Sequence, residues 1–289
     1  MKSGMIAIIG GSGVRDSPLF KDVPYVTSDT FYSNGFGDGK VEYQITDDVI
    51  FIPRHGNTKT YSPSRTQYGA NLIAAKILGA KVVIATSAVG SLKPEEIKEE
   101  SLVVPDDFID ESGRDDNLFC KGLIVHTNPR PGFSALLRLI LTSAADKTPG
   151  CFNKVHTHGT YVTIPGDRFG TSAEGKKRAQ YADVVGMTIC PEASMALQLG
   201  LPYAVAAFPV DVDTDANHEH KTLEVMKRLS DPERVPAFIE RVVETTKKYL
   251  HEFNGLTNLV GNIIPGDISR IENILLREVA KELIATYCK

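Results

Sequence analysis

Cysteine is scarce in this chain, and the cysteines present stand apart. Cys120, Cys151, Cys190 and Cys288 form no CxxC pair and no cluster with histidine. That spacing argues against a disulfide framework or a zinc site and for reduced thiols. Long apolar runs are missing too: no stretch reaches the ~18 residues that a membrane span needs. Residues 5–9 (MIAII) are too short for the core of a signal peptide, and glycines follow at once. Positive charge is not in excess. The 32 Lys and Arg against 36 Asp and Glu leave a formal net charge of −4, which gives no general pull toward nucleic acid or an anionic membrane. We therefore expect a cytoplasmic protein with neither as a partner. Any phosphorylated ligand must be held by a local pocket. No internal repeat, low-complexity segment or linker divides the 289 residues. One α/β domain over residues 1–289 is the simplest expectation, and it is long enough for a sizeable core.

What is there alternates. Short apolar runs at 5–9, 49–52, 81–86, 102–104, 160–164, 183–187 and 203–210 predict strands covered on both faces, as in a mixed or parallel sheet. Helical patterns fall at 68–78, 133–146, 173–181 and 191–199. From about residue 219 the chain reads as helical, with segments at 219–229, 232–253 and 267–287. In the last of these Ile268, Ile271, Leu275, Val279 and Leu283 make one apolar face, and Asp267 is the expected N-cap.

Several strand ends carry chemistry. Gly10-Gly11-Ser12-Gly13 follows the first strand. Such a loop brings backbone N–H groups and a hydroxyl to an anion, or is simply a tight turn. It has neither the GxGxxG spacing of a dinucleotide fold nor the Lys-Ser/Thr of a P-loop. Pro53-Arg54-His55-Gly56 offers a guanidinium suited to phosphate in a loop where α/β proteins place ligands, or a solvated turn. Residues 86–91 (TSAVGS) put small residues and hydroxyls at a strand-to-loop transition. Phe169, in GDRFGT before a helix, either stacks on a flat base or packs in the core. Asp211 and Asp213 close a strand two residues apart and so share a face. Paired carboxylates there suit acid and acceptor roles, or cap a solvated loop that continues through Asp215, His218 and His220. Their spacing matches no standard metal motif.

The order of these pieces is more specific than any one of them. GGSG, PRHG, TSAVGSL, PDDFID, GDRFGTSAE, ADVVGMTICPE and the Asp-x-Asp strand end occur in the order expected of one family. Over about residues 5–230 the chain resembles the trimeric purine nucleoside phosphorylases. It is most similar to members that act on 5′-methylthioadenosine. The resemblance implies an α/β fold with a central mixed β-sheet partly closed into a barrel and flanked by helices. It also implies a homotrimer, phosphate as co-substrate, and no metal or organic cofactor.

The implied activity is phosphorolysis of 5′-methylthioadenosine to adenine and 5-methylthioribose-1-phosphate. By the same resemblance, Ser12, Arg54, His55, Ser87, Ala88 and Thr188 hold phosphate. Met187 lies against ribose, Phe169 flanks the purine, and His126 reaches a neighbouring subunit's 5′ end. Thr222 and Val225 line the 5′ pocket. Asp211 is the acid toward purine N7 and Asp213 supports the exocyclic amine. A carboxylate there suits adenine, because an ionised carboxyl only accepts hydrogen bonds.

The pattern is broken at Lys59 (usually His), Asp167 (usually Pro), Gly170 (commonly a hydroxyl residue) and Gly186 (often Asn). Asp167 is expected to loosen its loop. A polar 5′ region keeps adenosine open as a substrate. Inosine, guanosine or methylthioinosine remain an alternative, which Asp211 argues against. A catalytically silent nucleoside-binding protein is the reading from a different class.

Overall fold

In the computed structural model, the residues described are 4–15, 17–28, 40–58, 61–119, 122–214, 221–253 and 260–288, without the side chains of residues 12 and 260. Lys59, Asp215, His218 and His220 lie outside this set, as does the Ser12 side chain.

The chain runs β1 (Met5–Gly10), a one-turn α1 (Ser12–Arg15), β2 (Val26–Ser28), β3 (Val41–Ile45), β4 (Val49–Pro53), α2 (Tyr68–Ile77) and β5 (Ala80–Ser91). There follow β6 (Leu102–Val103), β7 (Asp107–Asp110), β8 (Leu123–Thr127), α3 (Ala135–Asp146), β9 (Val155–His156), β10 (Thr160–Thr163) and α4 (Ser172–Arg178). The last elements are β11 (Val184–Gly186), α5 (Ile189–Gln198), β12 (Tyr203–Val212), α6 (Thr222–Leu229), α7 (Val235–Tyr249), β13 (Val260–Pro265) and α8 (Ile274–Tyr287).

The organising strand is β5. Its first half pairs in parallel with β1, its last residues pair antiparallel with β11, and β12 runs parallel along its other edge. This explains why residues 86–91 are not the loop expected from their composition. Gly90 and Ser91 remain extended because β11 and β12 hold them on both sides, and residues 86–89 because β12 holds them on one. From β5 the pairing passes to β12 and β6, and from β6 to β9. It also passes through β11 and β10 to β7. Three residues join β6 to β7 and three join β9 to β10, so the circuit closes only through these bends. The sheet is mixed and partly closed, with β1, β4, β3 and β2 as an open wing.

The first strand is buried at every residue, as a continuous apolar run with cover on both faces requires. Helices α3 and α7 pack together on one side, and α5 packs on α2 and β12. Thr171 and Glu174 make a reciprocal capping box that starts α4 and fixes the path of the preceding loop. Helix α5 becomes regular only from Pro191. Cys190 is extended at φ −105, as the residue before a proline prefers.

The C-terminal portion departs from the helical expectation. Residues 260–265 form β13, which pairs antiparallel with β8 to make a separate ribbon. Asp267 caps only a 3₁₀ turn at Ile268–Arg270. The helix itself starts at Ile274, where the Asn273 side chain accepts from Leu276 N. Its buried face is Leu276, Val279, Ala280 and Leu283, which join one core cluster with Met5 and the other inner strands.

Candidate active site

The C-terminal ends of β1, β4, β5 and β12 converge on a cavity of about 450 Å³, the place where α/β sheets put ligands. Of the residues singled out in the sequence, Arg54, His55, Ser87, Ala88, Phe169, Met187, Thr188, Asp211, Asp213 and Thr222 all line it.

Arg54 lines the cavity but is engaged within the protein. It is buried, its Nε donates to Glu192 Oε2 at 2.8 Å, and Nη2 donates to Oε1 at 2.9 Å. Nη1 donates to the Thr86 carbonyl and Nη2 also to that of Ile9. Four of the five guanidinium N–H groups are thus committed inside the protein. Burial alone would depress the Arg54 pKa, but the charge and hydrogen bonds of Glu192 outweigh it and raise it, so the group stays cationic. Tyr203 donates to Glu192 Oε1 at 2.7 Å, and burial followed by the Glu192 charge keeps that phenol protonated. The result is a buried cation in the cavity wall, held against its own counter-ion, Glu192.

The hydroxyl residues lie close together. Ser87 Oγ is 3.5 Å from Thr188 Oγ1 and 2.9 Å from Tyr161 Oη. His55 Nδ1 lies 3.0 Å from the Tyr61 carbonyl oxygen and 3.2 Å from Thr66 Oγ1, which fixes the ring plane.

Asp211 is buried near the end of β12. Its Oδ2 accepts from Thr222 Oγ1 at 3.2 Å and its Oδ1 from Val212 N at 2.9 Å. A register shift between Pro209 and Asp211 marks the approach to it. A bulge is where a strand interior tolerates proline. Asp213 N donates to the Ser91 carbonyl. Its carboxylate lies against Gly170, where a Cβ would stand 2.8 Å from Oδ2. Glycine at 170 therefore leaves room for this carboxylate against the loop.

Asp167 does not loosen its loop. Its carboxylate accepts from Ser64 Oγ at 2.8 Å, Ser62 Oγ at 3.1 Å and Ser64 N at 3.3 Å. It latches the loop bearing Phe169 to the one bearing Tyr61 and Pro63, and all three of these residues line the cavity. Arg114, which the sequence reading missed, braces the same region. It donates to the carbonyls of Met187, Cys190 and Pro165 and lies 5.3 Å from the centre of the Tyr68 ring.

Two expected site residues are elsewhere. Val225 is buried in the core, and Thr222, Met226 and Leu229 line the cavity instead. On a helix these three share a face at spacings of four and three, and Val225 falls toward the core. His126 is exposed on β8, in the ribbon with β13, and is not part of this cavity's wall. Glu192, Tyr203 and Tyr161 were also missed. Glu192 stood in the quoted motif ADVVGMTICPE, and a carboxylate in an apolar helix is the signal of a buried cation partner.

These features agree with the comparisons. The family model of the phosphorylase superfamily matches residues 5–253, and the chain belongs to that superfamily. It is 36% identical over 236 residues to S-methyl-5′-thioadenosine phosphorylase of Hyperthermus butylicus, covering 78% of this chain and 82% of that one. It superposes on a methylthioadenosine phosphorylase from an antarctic soil metagenomic library with TM-score 0.79, 27% identity and 99% of both chains covered. The methylthioadenosine phosphorylase of Schistosoma mansoni in complex with adenine gives TM-score 0.72 and 29% identity, covering 87% of this chain and 96% of that one. Among the described residues no helix is long and apolar enough to cross a membrane.

Proposed function

We propose that this protein catalyses phosphorolysis of 5′-methylthioadenosine to adenine and 5-methylthioribose-1-phosphate. The observation that carries the reading is one cavity lined by two hydroxyl residues, Ser87 and Thr188, and by two carboxylates, Asp211 and Asp213.

Phosphate binds at His55, Ser87, Ala88 and Thr188, with Arg54 supplying positive charge from the cavity wall, and the family resemblance adds Ser12 to this set. Ribose lies over Met187 and the purine beside Phe169. A phosphate oxygen attacks C1′ as the C1′–N9 bond breaks and its electron pair passes to the purine. Asp211 delivers a proton to N7, Asp213 accepts from the exocyclic amine, and the proton lost from phosphate restores Asp211. Positive charge on the sugar forms next to the phosphate dianion, so catalysis is mainly positioning and electrostatics. No metal or organic cofactor enters this scheme.

Met226, Leu229 and Val235 make an apolar wall beside Thr222, which suits a methylthio group better than a hydroxyl. The family resemblance further suggests a homotrimer of one-domain chains, with exposed His126 reaching a neighbour's 5′ group. The main core cluster, which spans Met5 to Leu283, supports the one-domain reading.

The test is base release with and without phosphate from methylthioadenosine, adenosine, inosine and methylthioinosine. Phosphate-dependent adenine release, fastest from methylthioadenosine, is expected. Hypoxanthine release without adenine would sink the base assignment. Binding of adenine with no turnover of any nucleoside would instead establish a silent binding protein.

A further inference from the structure

Behind the hydroxyls of the cavity lies a buried phenol that the chemistry above does not use. Tyr161 is on β10, fully buried, with its Oη 2.9 Å from Ser87 Oγ. Ser87 and Thr188 line the cavity and Tyr161 stands behind them. The ring reaches this place because β11 leaves a gap. A Cβ on Gly186 would stand 1.8 Å from Tyr161 Oη and 2.6 Å from its Cζ. The backbone pairing is Thr163 with Gly186 and Tyr161 with Val184, so the ring leans along the strand toward residue 186.

We propose that Tyr161 is a positioning residue for phosphate: its hydroxyl donates to Ser87 Oγ and turns the Ser87 proton toward the cavity, and Gly186 is the residue that makes room for it. The proposal rests on the phosphorolysis reading. A serine hydroxyl has one proton. Ser87 can direct it to Tyr161 Oη, to Thr188 Oγ1 at 3.5 Å, to the Ala88 carbonyl at a long 3.3 Å, or to an anion in the cavity. Donation from Tyr161 fills an acceptor position on Ser87 and leaves the serine proton for the anion. Successive O–H groups also polarise one another, which strengthens the last donor in the row. Burial pushes the Tyr161 phenol up to about 12, so it remains a donor across the neutral range.

Tyr161→Phe keeps the ring and removes only the hydroxyl. In initial-rate measurements of adenine release, the KM for phosphate should rise roughly tenfold, the effect of weakening one hydrogen bond to a charged group. The KM for the nucleoside should stay unchanged, and the thermal unfolding midpoint should fall by no more than the few degrees that one buried hydrogen bond accounts for. An unchanged phosphate KM, or an equal rise in both KM values, overturns the proposal. Gly186→Ala displaces the same hydroxyl from the other side and should give the same selective loss with Tyr161 still present. A normal phosphate KM in that variant removes Gly186 from the argument and overturns its part. Calorimetry with inorganic phosphate separates this inference from the reading beneath it. If the unmutated protein releases no adenine with phosphate, the phosphorolysis reading fails. Even so, weaker phosphate binding by Tyr161→Phe supports the positioning role, and equal binding overturns it.

Discussion

Arg54 and Glu192 meet in a bidentate ion pair at the cavity wall, with Nε to Oε2 at 2.8 Å and side-chain exposures of 3% and 0%. The pair joins the loop after β4 to the first turn of α5, so one contact positions both His55 and Thr188. Removing one partner leaves the other charge buried and uncompensated, which costs about 3–5 kcal/mol. We expect Glu192→Ala to lose stability of that order in denaturant unfolding. A loss near zero would mean that the wall of the site does not depend on this pair.

Asp211→Asn should lower turnover of methylthioadenosine by roughly 100-fold or more, the scale of a lost general acid. Relative activity toward 6-oxopurine nucleosides should rise, because an amide NH2 can donate to N7 and the neighbouring O6 but has no acidic proton to deliver to N7. Steady-state kinetics on both nucleoside types check this. Unchanged methylthioadenosine kinetics would remove Asp211 from the mechanism.

Asp167→Ala should raise the nucleoside KM by about two- to five-fold with stability unaltered, because exposed, solvent-screened contacts add little to stability. Hydrogen bonds from Ser64, reinforced by Ser62, hold the Asp167 carboxyl below the usual carboxylate range. Its pKa is lower folded than unfolded, so the latch is fully present above the unfolded value, about 3.9. It is lost as pH falls through the depressed folded value. Nucleoside affinity should therefore keep a constant latch contribution through neutral pH, with an acid-side decline that is absent in Asp167→Ala. Binding titrations across that range decide the point, and an identical pH profile for the two proteins would contradict it.

Val225 and Met226 offer a paired test of the α6 phase. Val225→Ala should cost about 1–2 kcal/mol of stability, the transfer of two buried methyl groups, and leave the nucleoside KM alone. Met226→Ala should do the reverse, raising KM for methylthioadenosine more than for adenosine. If Val225→Ala alters KM selectively while Met226→Ala does not, the helix faces the cavity differently.

Much of the fold was legible because periodicity is local. The run 5–9 could only be a covered strand, and β1 is buried throughout. The apolar stripe at 267–287 implied a packed helix, although its start was misplaced. Asp267 and Asn273 are both good caps, and only the break after the 3₁₀ turn at Ile268–Arg270 selects the second. Strands β8 and β13 were not expected because each has only two or three adjacent apolar residues beside polar ones, and the ribbon leaves Ile124 and Ile264 each 52% exposed.

The sequence by itself determined the chemistry available: hydroxyls and a histidine at three strand ends, two carboxylates at a fourth, and a motif order that belongs to one family. These are properties of residue type and short spacing. Tertiary structure alone decided what each group is free to do. Arg54 is engaged by a glutamate 138 residues away, Asp167 fastens a loop rather than loosening it, and Val225 turns into the core while Met226 turns out. Such outcomes depend on which distant donors, acceptors and apolar surfaces arrive at the same place. Spacing along the chain carries no record of that meeting.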